Sequence, residues 1–246
     1  MKADEEIREI FGHLKNLIIA HQEMGLEPPP LSNEVRDYLE TPLSKKQARS
    51  RPTADPGSLE ELKAFIGDCR RCKLHKGRAH LVFGEGLPQA RLVFVGEGPG
   101  RDEDMSGRPF VGAAGGLLTS IIEKGMGLNR EEVYILNIVK CRPPGNRDPQ
   151  MDEIEACIPF LKQQLKIIRP EVICVLGRIA GQALLGGDFK ITVERGKWRS
   201  YMDIPLMPTY HPAYIIRNPA RERQLKGLVW EDIKKVMARL GLEVKK

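Results

Sequence analysis

Arg91-Leu92-Val93-Phe94-Val95-Gly96-Glu97-Gly98-Pro99-Gly100 is the stretch that decides how the rest of the chain is read. A short apolar run that stops at a glycine-rich turn reads as a buried strand delivering its backbone to a ligand. The turn is not a nucleotide-cofactor cradle. It lacks the third glycine at dinucleotide spacing and the Lys-Ser/Thr of a phosphate loop, and Pro99 removes one of the backbone donors such a cradle uses. A turn of this kind suits close approach to a flat ligand.

Strand and helix patterns alternate outward from it. Val133 to Val139 and Val172 to Leu176 read as further strands, and Ile204 to Thr209 as a fourth. Helical patterns cover Gly115 to Lys124, Asp152 to Ile168, Ile179 to Leu185 and Gln224 to Leu240. This order predicts a three-layer α/β/α domain around a mostly parallel sheet. Such sheets bind ligands beyond the carboxyl ends of their strands. Glu97 follows the first strand, Asn137 lies near the end of the second and His211 follows the fourth. Each alone reads as a turn residue, a capping amide or a satisfied polar histidine. Their shared placement is what points to a site.

Four cysteines bracket the glycine turn: Cys69 and Cys72 before it, Cys141 and Cys157 after the second strand. A close pair followed by two more, each beside Lys, Arg or Pro, reads as a four-thiolate site for an iron–sulfur cluster or zinc. Reduced core cysteines or two disulfides are the plain alternatives. Cys174, inside the apolar run Val172 to Leu176, reads as a small core residue.

The 246 residues, 41% hydrophobic and 29% charged, allow one full core plus an appendage. The net charge of +6 is modest, but its distribution is uneven. Pro42 to His80 carries ten Lys/Arg against four Asp/Glu, and a second basic run extends from Arg217 to Lys226. Basic stretches beside candidate site residues fit a polyanion such as DNA, where solvated surface charge is the bland reading. Ile7, Ile10, Phe11, Leu14, Leu17 and Ile18 recur at helical spacing, so residues 1–40 are predicted as a helical extension. Residues 41–57, rich in Lys, Arg, Pro and Ser, read as a basic linker. The globular domain is placed at 58–246, opening at the capping box Ser58-Leu59-Glu60-Glu61. The acidic N-terminus does not read as a secretory segment, and no apolar run approaches a membrane span. The expectation is a cytoplasmic monomer without membrane contact, whose N-terminal helix caps the domain or recruits a repair or replication protein.

Gly96-Glu97-Gly98-Pro99-Gly100, Gly107-Arg108-Pro109-Phe110-Val111-Gly112, Asn137-Ile138-Val139-Lys140-Cys141-Arg142-Pro143-Pro144 and His211-Pro212-Ala213 through Arg217 resemble, in order, the signature blocks of the family 4 uracil-DNA glycosylases. The resemblance covers about Ser58 to Leu242 and includes all four cysteines. It implies a four-stranded parallel sheet, a [4Fe-4S] cluster on Cys69, Cys72, Cys141 and Cys157, and release of uracil from single- and double-stranded DNA. By motif, Glu97 and Gly98 place the attacking water, Phe110 stacks on the extruded base, Asn137 reads its edge and His211 faces the carbonyl at O2. Glu103 and Asp104 stand as helpers of Glu97. Arg108, Arg142 and Arg217 are implied to contact DNA, and Ile215 to fill the hole left by the flipped base. A non-catalytic iron–sulfur DNA-binding module, or a zinc-stabilised hydrolase of free nucleosides, are the competing readings.

Overall fold

The computed structural model describes residues 56–243. The predicted helical extension, and the basic linker apart from Pro56 and Gly57, lie outside the described residues.

Strands β1 (Glu85–Gly86), β2 (Leu92–Gly96), β3 (Tyr134–Asn137), β4 (Val172–Leu176), β5 (Arg199–Tyr201) and β6 (Ile204–Thr209) form one sheet in the order β1-β3-β2-β4-β6-β5. The inner four strands are parallel, and β1 and β5 pair antiparallel at the edges. The parallel core agrees with the expected architecture, but the sheet has six strands rather than four. The two additional strands are too short and too polar to leave a hydrophobic pattern. Every residue of β2, β3 and β4 is buried, because a parallel sheet is covered on both faces and cannot alternate apolar with polar.

The pleat divides the core in two. Val93, Val95, Leu136, Ile173 and Val175 face one layer, containing helices α1 (Leu59–Ile66), α4 (Met151–Ile168) and α5 (Arg178–Leu185). Leu92, Phe94, Ile135, Cys174 and Met207 face the other, containing α3 (Ala113–Ser120) and α8 (Glu222–Leu240). Cys174 is fully buried there. Ser58 caps α1 by accepting from Glu61 N at 3.1 Å, and the Glu61 carboxylate returns to Gly57 N at 2.8 Å. The capping box therefore closes one residue earlier than its motif.

Successive strands step from β2 to β3 on one side and then to β4 on the other, so the order reverses at β2. A crevice opens outside the carboxyl ends at such a reversal. Strand β3 stops at Asn137, short of the predicted Val139, and beyond it Ile138 N and Val139 N bond to Gly96 O (2.9 Å) and Glu97 O (3.1 Å). The chain after Asn137 thus follows the glycine turn into that crevice. Among the described residues no helix is long and apolar enough to cross a membrane.

Candidate active site and cysteine cluster

The glycine turn after β2 shapes the crevice by what it leaves out. A Cβ on Gly96 would lie 2.4 Å from Asn137 Oδ1 and 2.6 Å from Phe110 Cζ. Only glycine lets that amide and that ring pack over the end of the strand. Phe110 itself has φ +51°, an uncommon conformation for a non-glycine residue. The Glu103 carboxylate, on helix α2 (Arg101–Ser106), holds it there. One oxygen accepts from Val111 N (3.0 Å) and Gly112 N (2.9 Å), and the other from Gly100 N (3.0 Å). This carboxylate clamps the glycine turn to the Phe110 loop. Asp104 is buried and accepts from Ala79 N at 2.9 Å and His80 N at 3.3 Å. The two acids expected to assist Glu97 are therefore engaged in holding backbone.

Asn137 ends β3 and is 2% exposed. Its Oδ1 is buried with no hydrogen-bond partner among the described residues. An orphaned acceptor of this kind costs about 1–3 kcal/mol, and a ligand N–H would relieve it. Beneath it, the buried Lys140 Nζ donates to Asn137 O at 2.8 Å. Burial pushes that ammonium down to about 8, against the neighbouring Cys157 and Cys141.

His211 caps helix α7 (Pro212–Ile216), accepting from Ala213 N on Nδ1 at 3.1 Å. With Nδ1 accepting, the proton of the neutral ring sits on Nε2. Burial, with the Arg217 charge, pushes the imidazole down to about 4, so this tautomer persists at neutral pH. Its ring stacks on Phe110 with centroids 5.5 Å apart. Gly177, at φ +91°, makes room behind it, since a Cβ there would stand 2.9 Å from His211 Cβ.

Glu97 is half-buried, and burial first and Asp148 second push its carboxyl up to about 7, against Arg178 and Arg217. Asp148 is paired with Arg178 at 2.6 Å. Glu97, Gly98, Phe110, Asn137 and His211 all line one cavity of about 730 Å³, within the range of small-molecule sites.

The candidate DNA contacts divide differently. Arg217 is exposed on the cavity wall. Arg108 lies outside the cavity lining, bound to Glu85 at 2.8 Å. Arg142 also lies outside it, donating to Asn146 Oδ1 at 2.7 Å. Ile215 requires correction. It is 1% exposed and packs in the core, whereas Ile216 is 43% exposed and lines the cavity. The helical turn explains this: Pro212 and Ile215, three apart, both face inward. Sequence reading also missed Arg178, Asp148 and Tyr214 on the cavity wall. Arg178 follows the carboxyl end of β4, and the rule that led to Glu97 and His211 applies equally to it.

The four cysteines line a second, small cavity with Arg71, Arg78 and Lys140. All are free thiols, which sets the disulfide reading aside. N–H donors aim at three sulfurs: Arg78 Nη1 at Cys141 Sγ (3.1 Å), Arg71 Nη1 at Cys69 Sγ (3.3 Å) and Lys140 N at Cys157 Sγ (3.4 Å). Burial raises the Cys141 thiol and pushes Cys157 up to about 11. Donors of this kind favour thiolate sulfur, so the residues fit an electron-poor metal group. Among the described residues, no three His, Cys, Asp or Glu side chains stand close enough to hold a single metal ion.

A crevice at a sheet reversal, an orphaned amide acceptor, a phenyl ring and a neutral histidine thus meet in one cavity. The chain belongs to the uracil DNA glycosylase superfamily, whose family model matches residues 83–234. Within it the chain is of type 4. It is 48% identical over 187 residues to a type-4 uracil-DNA glycosylase of Sulfurisphaera tokodaii, covering 73% of this chain and 83% of that one. To the type-4 enzyme of Thermotoga maritima it is 46% identical over 182 residues, covering 72% and 93%. A type-5 uracil-DNA glycosylase of Pyrobaculum aerophilum is 28% identical over 148 residues, covering 54% and 65%.

Proposed function

We propose that this protein hydrolyses the N-glycosidic bond of deoxyuridine in DNA, releasing uracil and leaving an abasic site for base excision repair. The observation that carries the reading is the buried, partnerless Oδ1 of Asn137 beside Phe110 and His211 in one cavity. Uracil offers an N3–H to that oxygen and an O4 to the amide nitrogen.

The base must leave the helix to reach this pocket, at a cost of a few kcal/mol. Stacking on Phe110 returns roughly 1–3 kcal/mol. Water then attacks C1′ while the bond from C1′ to N1 breaks, and its electron pair passes into the uracil ring. His211 Nε2–H, facing O2, stabilises the charge that develops there, an effect typically worth about 3–4 kcal/mol. Glu97 orients the water and takes its proton. A carboxyl poised near 7 is both ionised and basic enough for that role at neutral pH. Arg217 and Arg178 on the cavity wall suit flanking phosphates. Ile216, exposed there, replaces Ile215 as the side chain that fills the vacated base stack.

Cys69, Cys72, Cys141 and Cys157 would hold a [4Fe-4S] cluster. Membership of type 4 and the N–H donors aimed at three of the four sulfurs support this assignment over zinc. When bound, the cluster supplies a cross-link between the segment before β1, the loop after β3 and helix α4. Hydrolysis exchanges no electrons, so the catalytic steps fall to the cavity residues.

Incubating the protein with a uracil-containing oligonucleotide and then alkali tests the reading: strand cleavage at the uracil is expected. Binding without cleavage would favour the non-catalytic module, and preference for free deoxyuridine would favour a nucleoside hydrolase.

A further inference from the structure

The cavity is larger than its proposed guest. A single pyrimidine held by Phe110, Asn137 and His211 fills only a fraction of about 730 Å³. Another part of its wall is aromatic. Tyr210 and Tyr214 line the same space, stacked with ring centroids 5.3 Å apart and planes 30° apart. Tyr214, the outer ring, is 37% exposed.

This pair is braced from behind. The Arg195 guanidinium lies over the Tyr210 ring at 5.6 Å. Arg195 is fixed by Asp232, whose Oδ2 accepts from Arg195 Nε at 3.0 Å and from Thr209 Oγ1 at 2.7 Å. Asp232 and Thr209 are both buried. Tyr214 is held through its backbone, its carbonyl accepting from Asn218 Nδ2 at 2.7 Å. A rigid, exposed ring presents a stacking face that loses little freedom when a base settles on it, and such stacking tolerates any base identity. Arg217, three residues beyond Tyr214, can meet the connecting phosphate.

We infer that Tyr214, backed by Tyr210 and Arg195, is a second base-binding subsite that stacks the nucleobase adjacent to the extruded uracil in a single strand of DNA. The inference rests on the glycosylase reading and deepens it. The enzyme grips two consecutive nucleotides, reading one by hydrogen bonds and the other by its π-face alone. A strand whose neighbouring base is missing therefore binds less tightly on one side of the uracil.

The test uses single-stranded oligonucleotides carrying one 2′-fluoro-deoxyuridine, which resists cleavage. The base on its 5′ or 3′ side is either adenine or an abasic spacer, and affinity is read by fluorescence anisotropy. Wild-type protein is expected to lose roughly 5- to 100-fold in affinity when the base on one side is removed. Tyr214→Phe should keep that discrimination and Tyr214→Ala should lose it, with matching melting temperatures establishing that both variants fold. Equal wild-type affinity for all the strands, or full discrimination by Tyr214→Ala, would overturn the subsite. Release of uracil from cleavable versions of the same strands reports separately on the glycosylase reading. Release with no neighbour effect sinks only the subsite, while no release from any strand sinks the reading beneath it.

Discussion

Titrating Glu97 tests the catalytic assignment quantitatively. Its carboxyl is pushed up to about 7, chiefly by burial. As the base it must be ionised, so about one molecule in ten is competent at pH 6 and about one in a hundred at pH 5. The single-turnover rate of uracil release should fall about tenfold per pH unit below 7 and level off above 8. His211, pushed down to about 4, stays neutral across this range and adds no second limb. Glu97→Gln should lower the rate by roughly 10²–10⁴ and flatten the profile. The same shift has a stability consequence of known sign. The folded pKa lies above the ordinary 4.5, so the native state binds more protons between pH 4.5 and 7, and stability falls as pH rises through that window. Glu97→Gln should therefore melt at a higher temperature than wild type at pH 8 and show no such gain at pH 4. A wild-type rate that is flat from pH 5 to 8, or a Gln variant of full activity, would remove Glu97 from the role of base.

His211→Ala should lower the single-turnover rate roughly 10²–10³-fold with DNA affinity nearly kept, because the lost donor acts on charge that appears only in the transition state; equal losses in affinity and rate would contradict this. Purified protein should be yellow-brown, and Cys141→Ala or Cys157→Ala should lose both colour and melting temperature, whereas Cys174→Ala, in the opposite core layer, should keep the colour. Colourless, fully active protein with stoichiometric zinc would sink the cluster assignment. Ile215→Ala should cost about 2–5 kcal/mol of stability, while Ile216→Ala should stay within about 0.5 kcal/mol and instead weaken duplex engagement, as chemical denaturation and a binding titration would separate.

The parallel core was legible because Leu92 to Val95 and Val172 to Leu176 are continuous apolar runs, as strands covered on both faces must be. Strands β1 and β5 were not, since Glu85–Gly86 and Arg199–Tyr201 pair only at edges and carry no apolar pattern. Glu97, Asn137 and His211 could be picked out because strand ends are where α/β sheets place ligands. Arg178 and Asp148 belong to the same rim but sit in segments of ordinary charged composition. Ile215 and Ile216 are adjacent in a run that motif alone cannot orient. Which of the two is buried depends on the phase of a helix of five residues, set by His211 as its cap. Likewise the Glu103 carboxylate reaches three backbone amides, the furthest nine positions away, a pattern that side-chain identity does not announce.

Whether the Asn137 amide reads uracil in a hydrolytic pocket is decided by single-turnover release of free base from a single-stranded oligonucleotide, wild type beside Asn137→Asp. An ionised Asp can still accept from N3–H but sets an oxygen against O4 where Asn has a donor, so uracil release should fall by a factor corresponding to at least about 1–3 kcal/mol. Weak release of cytosine, whose N4 amino group Asp can accept, should appear or rise at low pH. Wild-type protein that frees no uracil, or an Asp variant that frees it at the full rate, would contradict the account.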